Sequence, residues 1–282
     1  MRILILILIL LILLILYSLY TPPSFENKLL EPIPKNIDYT SDPRIDALDF
    51  VPKSFNSNKI AVVSLHIGNA DYPKLTKQNL EKYCRLHRYD FYYFDEILNP
   101  EHTAIWQKQD AVKKIMDKNQ HDYIVWVDSD IAITDMSKSL DYFINIDDSK
   151  DIYLSRDVPM NYINTSFVKF MNMYKMEPSV NKGLLPYINS GIFIIKNNLI
   201  GKMFMHDVLN GYNSFNNYFA TNRFHEQSII QHLYFSKYKD YTLVIPHTMM
   251  QSIYNYYKPG DFAIHFAGMN DNVRDYLVKE YV

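Results

Sequence analysis

The sequence predicts an α/β protein with a mostly parallel central sheet and helices on both faces. Three observations carry that expectation. Tyr123 to Val127 (Y-I-V-W-V) is a continuous β-branched and aromatic run, which suits a strand buried on both faces of a parallel sheet. Lys59 to Leu65 (K-I-A-V-V-S-L) has the same character, and a turn, a helical pattern and a second strand follow it, as at the start of a doubly wound sheet. The run at Tyr123 then stops abruptly in Asp128, Ser129 and Asp130. Two carboxylates therefore stand at the carboxyl end of a buried strand, where open α/β sheets bind their ligands.

Those charges need a partner, because an unpaired buried carboxylate is strongly disfavoured. A divalent cation bridging to a diphosphate would serve, and oxygen-rich ligation suits Mg²⁺ or Mn²⁺. D-x-D alone is a common tripeptide, and most copies are solvated turns or helix caps. The preceding strand strengthens the functional reading, and the rest must come from other segments.

The chain has 282 residues, 48% hydrophobic and 21% charged, enough for one large domain with a sizeable core. A formal net charge of −2, with no basic stripe interleaved with aromatics, gives no pull toward nucleic acid. The single cysteine, Cys84, excludes an internal disulfide and reads as a packed core thiol in a helical pattern.

Ile3 to Leu16 is an unbroken run of Ile and Leu, extended by Tyr17 to Tyr20. A helix needs roughly 20 apolar residues to cross a bilayer, so residues 1–20 read as a transmembrane signal anchor with Tyr17 and Tyr20 at the interface. The alternative is a cleaved signal peptide, but Thr21, Pro22 and Pro23 follow instead of a small-residue cleavage site. Arg2 favours a single-pass type II orientation. Residues 21–58, rich in Pro, Asn, Ser and charge, read as a stem, and residues 59–282 as the globular domain.

After the first strand, His66, Gly68 and Asn69 form a turn, and the Lys74 to Arg88 segment is helical. The turn lacks G-x-G-x-x-G and G-x-x-x-x-G-K-[ST], so neither a dinucleotide fold nor a P-loop is supported. Ala104 to Lys118 is an amphipathic helix with Ile105, Ala111, Val112, Ile115 and Met116 on its packed side. Lys108 stands near its start, where anions collect; it is either a phosphate contact or a solvated lysine. Ile152 to Ser155 is a short strand, and Asn164-Thr165-Ser166 matches the weak acceptor pattern for N-glycosylation. Asn189, Ser190 and Gly191 lie just before an apolar strand, and Gly191 allows close backbone approach to a ligand. Glu226 opens a helical segment and matches the helix dipole there. His265 lies on the Phe262 to Phe266 strand; taken alone, such a histidine is more often a satisfied core residue than a ligand.

Taken together, W-x-K at Trp106 to Lys108, V-W-V-D-S-D, N-S-G-I-F-I-I-K, E-Q-S-I-I and G-D-F-A-I-H-F-A-G occur in one order. That set resembles glycosyltransferase family 34, which includes yeast α-mannosyl- and galactosyltransferases and plant xyloglucan xylosyltransferases. The resemblance covers about Lys59 to Gly268. It implies a GT-A fold, a nucleotide-sugar donor, a glycan or glycoprotein acceptor, Mn²⁺ (or Mg²⁺) and retention of anomeric configuration. The anchor and stem fit the family's membrane plan, in the Golgi or ER lumen of a eukaryote.

By that resemblance Asp128, Asp130 and His265 become the metal ligands. Ser129 lies along the donor ribose or sugar; Asn189, Ser190 and Gly191 border the sugar, and Lys108 matches the lysine of W-x-K. Ser64 and Gly268 complete the expected donor-binding set. Glu226 and Gln227 match the acidic-Gln pair beside the anomeric carbon, with Gln227 where a nucleophile would otherwise sit. The sequence also departs from the family. Xylosyltransferases carry Cys and Lys soon after H-F-x-G, whereas Met269 to Asn272 follow here and the next cation is Arg274. Ser190 and Glu226 stand where Thr and Asp are frequent, with the chemistry kept. Three rivals remain: a metal-dependent nucleotidyltransferase, an inverting transferase and a non-catalytic membrane-anchored glycan-binding protein.

Overall fold

A computed structural model describes residues 58–157, 188–219 and 225–282. The proposed anchor, most of the stem and the Asn164-Thr165-Ser166 pattern lie outside the described residues. Among the described residues no helix is long and apolar enough to cross a membrane.

The order begins β1 (Ile60–Leu65), α1 (Tyr72–His87), β2 (Asp90–Phe94), α2 (Gln107–Met116), β3 (Tyr123–Val127) and β4 (Ile131–Ile133). It continues α3 (Leu140–Ile144), β5 (Ile152–Arg156), β6 (Ile188–Lys196), α4 (Leu199–Phe219) and α5 (His225–Leu233). The last elements are β7 (Thr242–Ile245), α6 (His247–Met250), β8 (Ser252–Ile253), β9 (Ala263–His265) and α7 (Asp271–Leu277).

Six strands form the central sheet in the order β2-β1-β3-β6-β5-β7. All pairings are parallel except those of β6, which runs against both β3 and β5. The expected mostly parallel sheet is therefore present, with one strand inserted in reverse at its centre. Strand alternation sends Ala61, Val63, Ile124 and Trp126 to the face covered by α2, α4 and α5. Ile60, Val62, Val125 and Val127 face the other side, toward Leu80, Tyr83 and Cys84 of α1 and Phe143 of α3. Cys84 is buried, as its place in the helical pattern indicated.

Reversal of β6 corrects one sequence expectation. Asn189, Ser190 and Gly191 do not precede the strand; with Ile188 they form its first residues. The amino end of an antiparallel strand lies at the carboxyl edge of its parallel neighbours, so these residues arrive beside Asp128. The Asp128 N–H donates to the Gly191 carbonyl at 2.8 Å. Pairing with β5 passes from Leu154–Phe193 to Ser155–Asn189, so a bulge leaves Ser190, Gly191 and Ile192 out of that ladder.

A second correction concerns Ile105. It was placed on the packed side of its helix, but Ala104–Trp106 is a 3₁₀ turn and Ile105 is exposed there. The change of twist puts Trp106 into the core instead.

A second sheet, β4-β9-β8, holds the late part of the chain against the site. Ile131 pairs with His265 across the antiparallel β4–β9 ladder, and the Phe266 N–H donates to the Asp130 carbonyl at 3.0 Å. Buried Asn79 of α1 clamps this sheet to the body. Its amide donates to the Ile133 carbonyl at 3.0 Å and accepts from the Ile133 N–H at 2.8 Å. Asn79→Leu is therefore expected to lower the urea midpoint at unchanged slope, a loss of about 1–3 kcal/mol for two stranded backbone groups. An unchanged midpoint would show that the clamp contributes nothing.

Candidate functional site

Asp128 follows Trp126 by two residues, so continued alternation sends it toward α2. There the Lys108 ammonium lies 3.0 Å from Asp128 Oδ1 and 2.9 Å from Glu226 Oε1. Lys108 is thus neither solvated nor free; it is a buried cation shared by two carboxylates. The Trp126 indole N–H donates to the same Asp128 oxygen at 2.6 Å. W-x-K and V-W-V-D-S-D meet through these contacts.

Asp130 is held from the opposite side. Arg274 of α7 sets Nη2 2.9 Å from Asp130 Oδ2, while its Nε donates to the Phe266 carbonyl at 3.1 Å. Each aspartate therefore has one oxygen engaged by a protein cation. The other two oxygens turn toward His265, whose Nε2 lies 3.3 Å from Asp130 Oδ1 and 3.9 Å from Asp128 Oδ2. One donor atom from each of the three residues fits within a span of 4.8 Å. Two carboxylate oxygens and an imidazole nitrogen form a donor set that suits a divalent cation such as Mn²⁺ or Mg²⁺.

The electrostatics agree with that reading. Burial lifts the Asp128 carboxyl above its ordinary range, and Lys108 does not fully reverse the effect. Burial also opposes ionisation of Asp130, but His265 and Arg274 outweigh it and hold the group down to about 2. Burial would lower the His265 pKa, yet the facing Asp130 and Asp128 carboxylates raise it. Glu226 is likewise buried, and the Lys108 charge holds its carboxyl below the usual value. Asp128 is the group left short of positive charge, which a metal ion would supply.

The sugar-side residues join the same cluster. Ser190 Oγ donates to Glu226 Oε1 at 3.0 Å, and the Ser190 N–H donates to Gln227 Oε1 at 3.3 Å. Gln227 Nε2 reaches Asp157 at 3.5 Å, and Asn189 Nδ2 donates to the other oxygen of Asp157 at 3.3 Å. Gly191 lies under His265: an added Cβ would stand 2.5 Å from His265 Cε1 and 2.6 Å from Gln251 Oε1. Ser129 faces His66, with Oγ 3.2 Å from its Nδ1, and the Ser129 carbonyl accepts from Thr76 Oγ1 at 2.7 Å. Ser64 is fully buried near the end of β1, and its hydroxyl has no partner among the described residues. Gly268 stands in the loop from β9 to α7 at φ +73°, with nothing within 4 Å of a notional Cβ. Its need is backbone conformation, not close approach.

Four participants escaped the sequence reading. Trp126 had a usable signal, since it shares a strand face with Asp128. Arg274 was noted only as the next cation after H-F-A-G, and its reach to Asp130 depends on the fold of α7. Asp157 and Gln251 carry no local pattern at all; the sheet brings them to Asn189.

A strand-edge acidic pair and a late imidazole meet at the carboxyl edge of a mixed sheet whose fold is similar to that of GT-A glycosyltransferases. The fold matches a crystal structure of a glycosyltransferase involved in glycosylation of the major capsid of PBCV-1, with a TM-score of 0.59 and 19% identity. That match covers 79% of this chain and 99% of the other. A model of the galactosyl transferase GMA12/MNN10 family matches residues 55–275, and the chain belongs to that family. Similar proteins include putative glycosyltransferase 7 of Arabidopsis thaliana, 40% identical over 60 residues. Galactomannan galactosyltransferase 1 of Cyamopsis tetragonoloba is 36% identical over 64 residues. These matches cover 21% and 22% of this chain but only 13% and 15% of the curated relatives.

Two outcomes follow from the geometry. Gly191→Ala should displace His265 and Gln251, and should reduce activity at least tenfold with little change in the far-UV spectrum. Activity equal to wild type would show that His265 needs no fixed place. Lys108→Met removes the cation shared by Asp128 and Glu226, and a loss of about 3–5 kcal/mol is expected from denaturant melts. A loss below a tenth of that range would mean the three groups are not an ion-paired unit.

Proposed function

We propose that the protein is a retaining glycosyltransferase. It moves a hexose or pentose from a UDP- or GDP-sugar to a glycan or glycoprotein acceptor, with a divalent cation held by Asp128, Asp130 and His265. The observation that carries this is the division of labour within each carboxylate: one oxygen on Lys108 or Arg274, the other turned toward His265. Bound there, Mn²⁺ or Mg²⁺ would supply charge that stabilises a leaving diphosphate. The family membership supports the sugar-transfer chemistry over nucleotidyl transfer.

The protein groups suit retention without a covalent intermediate. Glu226 is committed to Lys108 and Ser190, which weakens it as a nucleophile. Gln227 is a neutral amide beside it, able to border a sugar that becomes oxocarbenium-like as its bond to phosphate breaks. The acceptor hydroxyl then forms its bond to the anomeric carbon on the face the phosphate leaves, and the departing phosphate oxygen takes the proton. Asn189, Ser190 and Gly191 would position the sugar, and Ser129 would lie along the donor ribose; Ser64, fully buried, offers the donor no surface in this structure. Residues 1–20 are read as the anchor that would hold the domain in a type II orientation.

Asp128→Asn together with Asp130→Asn is expected to abolish nucleotide release in a screen of UDP- and GDP-sugars with Mn²⁺, while the far-UV spectrum shows the fold retained at a lowered thermal midpoint. EDTA should silence the wild type and added Mn²⁺ should restore it. Full activity of the double variant in EDTA would refute the scheme. NMR of the product anomer tests retention, and an inverted product would require a carboxylate base opposite the donor.

A further inference from the structure

Gln251 follows α6, outside every motif described above, and is 1% exposed. Its amide orientation is settled by its neighbours. Asn189 Oδ1 accepts the Gly191 backbone N–H at 2.8 Å, so that atom is an oxygen. Gln251 therefore presents Nε2 to it, also at 2.8 Å. Its Oε1 must point the other way, and there it has no partner among the described residues.

His265 Nδ1 is the complementary orphan. The ring is buried, and Nδ1 has no hydrogen-bond partner among the described residues. Both atoms border one small space over Gly191. Gln251 Oε1 lies 2.6 Å, and His265 Nδ1 2.7 Å, from where a Cβ on that residue would stand. The missing side chain is what leaves room for an acceptor and a donor to meet.

Nε2 of His265 faces Asp130 and Asp128. An imidazole that offers Nε2 to a cation carries its proton on Nδ1, and that N–H needs an acceptor to fix the tautomer and the ring plane. We propose that Gln251 is the positioning residue for His265: the two atoms, unpaired in this structure, close across the space over Gly191 when a cation is held, so that the carboxamide oxygen accepts the Nδ1–H and aims Nε2 at the two aspartates. Behind it, Asn189 and Asp157 connect the same amide to Gln227. The ring that holds the cation and the amide beside the sugar are then joined by one buried polar chain. This rests on the cation site proposed above.

The test is Mn²⁺ binding followed by electron paramagnetic resonance on the purified full chain, wild type against Gln251→Met and Gln251→Glu. Gln251→Met keeps the volume and removes the acceptor, so Mn²⁺ affinity should fall about 10–100-fold. Gln251→Glu keeps an acceptor toward Nδ1 but sets its other oxygen against Asn189 Oδ1, so its Mn²⁺ affinity should fall less than that of Gln251→Met. ¹⁵N spectra of histidine-labelled, Mg²⁺-loaded protein should show a protonated Nδ1 on His265, assigned by its loss in His265→Gln. That signal should shift in Gln251→Met. Equal Mn²⁺ affinity in wild type and Gln251→Met would overturn the proposal, as would equal losses in the two variants. A wild type that binds no Mn²⁺ would overturn the cation site itself, which separates the two failures. Thermal midpoints identify a variant that does not fold, and the remaining variant then decides.

Discussion

Three of the carboxylates at the carboxyl edge of the sheet rely on protein cations, and charge balance is the constraint on which the rest depends. Asp128, Asp130 and Glu226 could not be gathered there without cations, because buried like charges repel and each loses its hydration. Lys108 serves two of them from α2, Arg274 serves the third from α7, and His265 closes the space between the aspartates. The helices are thus tied to the sheet edge by charge as well as by apolar packing. Buried pairs of this kind are strongly destabilising to break yet contribute modest net stability, so their presence is better explained by the site than by the fold.

Reversal of β6 gives this cluster its second half. A parallel strand in that place would have carried Asn189, Ser190 and Gly191 to the far edge of the sheet, away from Asp128. Running backward, β6 delivers them at the start of its span, and the bulge against β5 frees Ser190 and Gly191 from the ladder. Ser190 can then bond Glu226 while its backbone N–H meets Gln227. Gly191 serves a different need, since His265 occupies the volume a side chain would take.

The small β4-β9-β8 sheet explains how a histidine more than a hundred residues downstream reaches the aspartates. β4 starts immediately after Asp130, so any strand paired with it is brought to the acidic pair. Register sets His265 opposite Ile131, one residue beyond Asp130. Asn79 fixes β4 on α1, and Arg274 fixes the loop after β9. Position of the imidazole is therefore a property of backbone pairing, with side chains holding the pairing in place.

Much of this was legible in one dimension. Buried strands announced themselves as unbroken apolar runs, and the abrupt stop at Asp128 marked the ligand edge, because the hydrophobic pattern and the polar break are local properties of the chain. Ordered motifs pointed to the family and to the residues of the site. Local pattern carries no strand direction, so the reversal of β6 and the place of Asn189 within it were decided only in three dimensions. The same holds for the exposure of Ile105, where a 3₁₀ turn changed the angular step. Lys108 was ambiguous in sequence because its partners lie 20 and 118 positions away, and only packing could make it a shared buried cation. Gln251 and Asp157 were invisible for the same reason: hydrogen-bond partnership depends on distance in space, and a sequence records only distance along the chain.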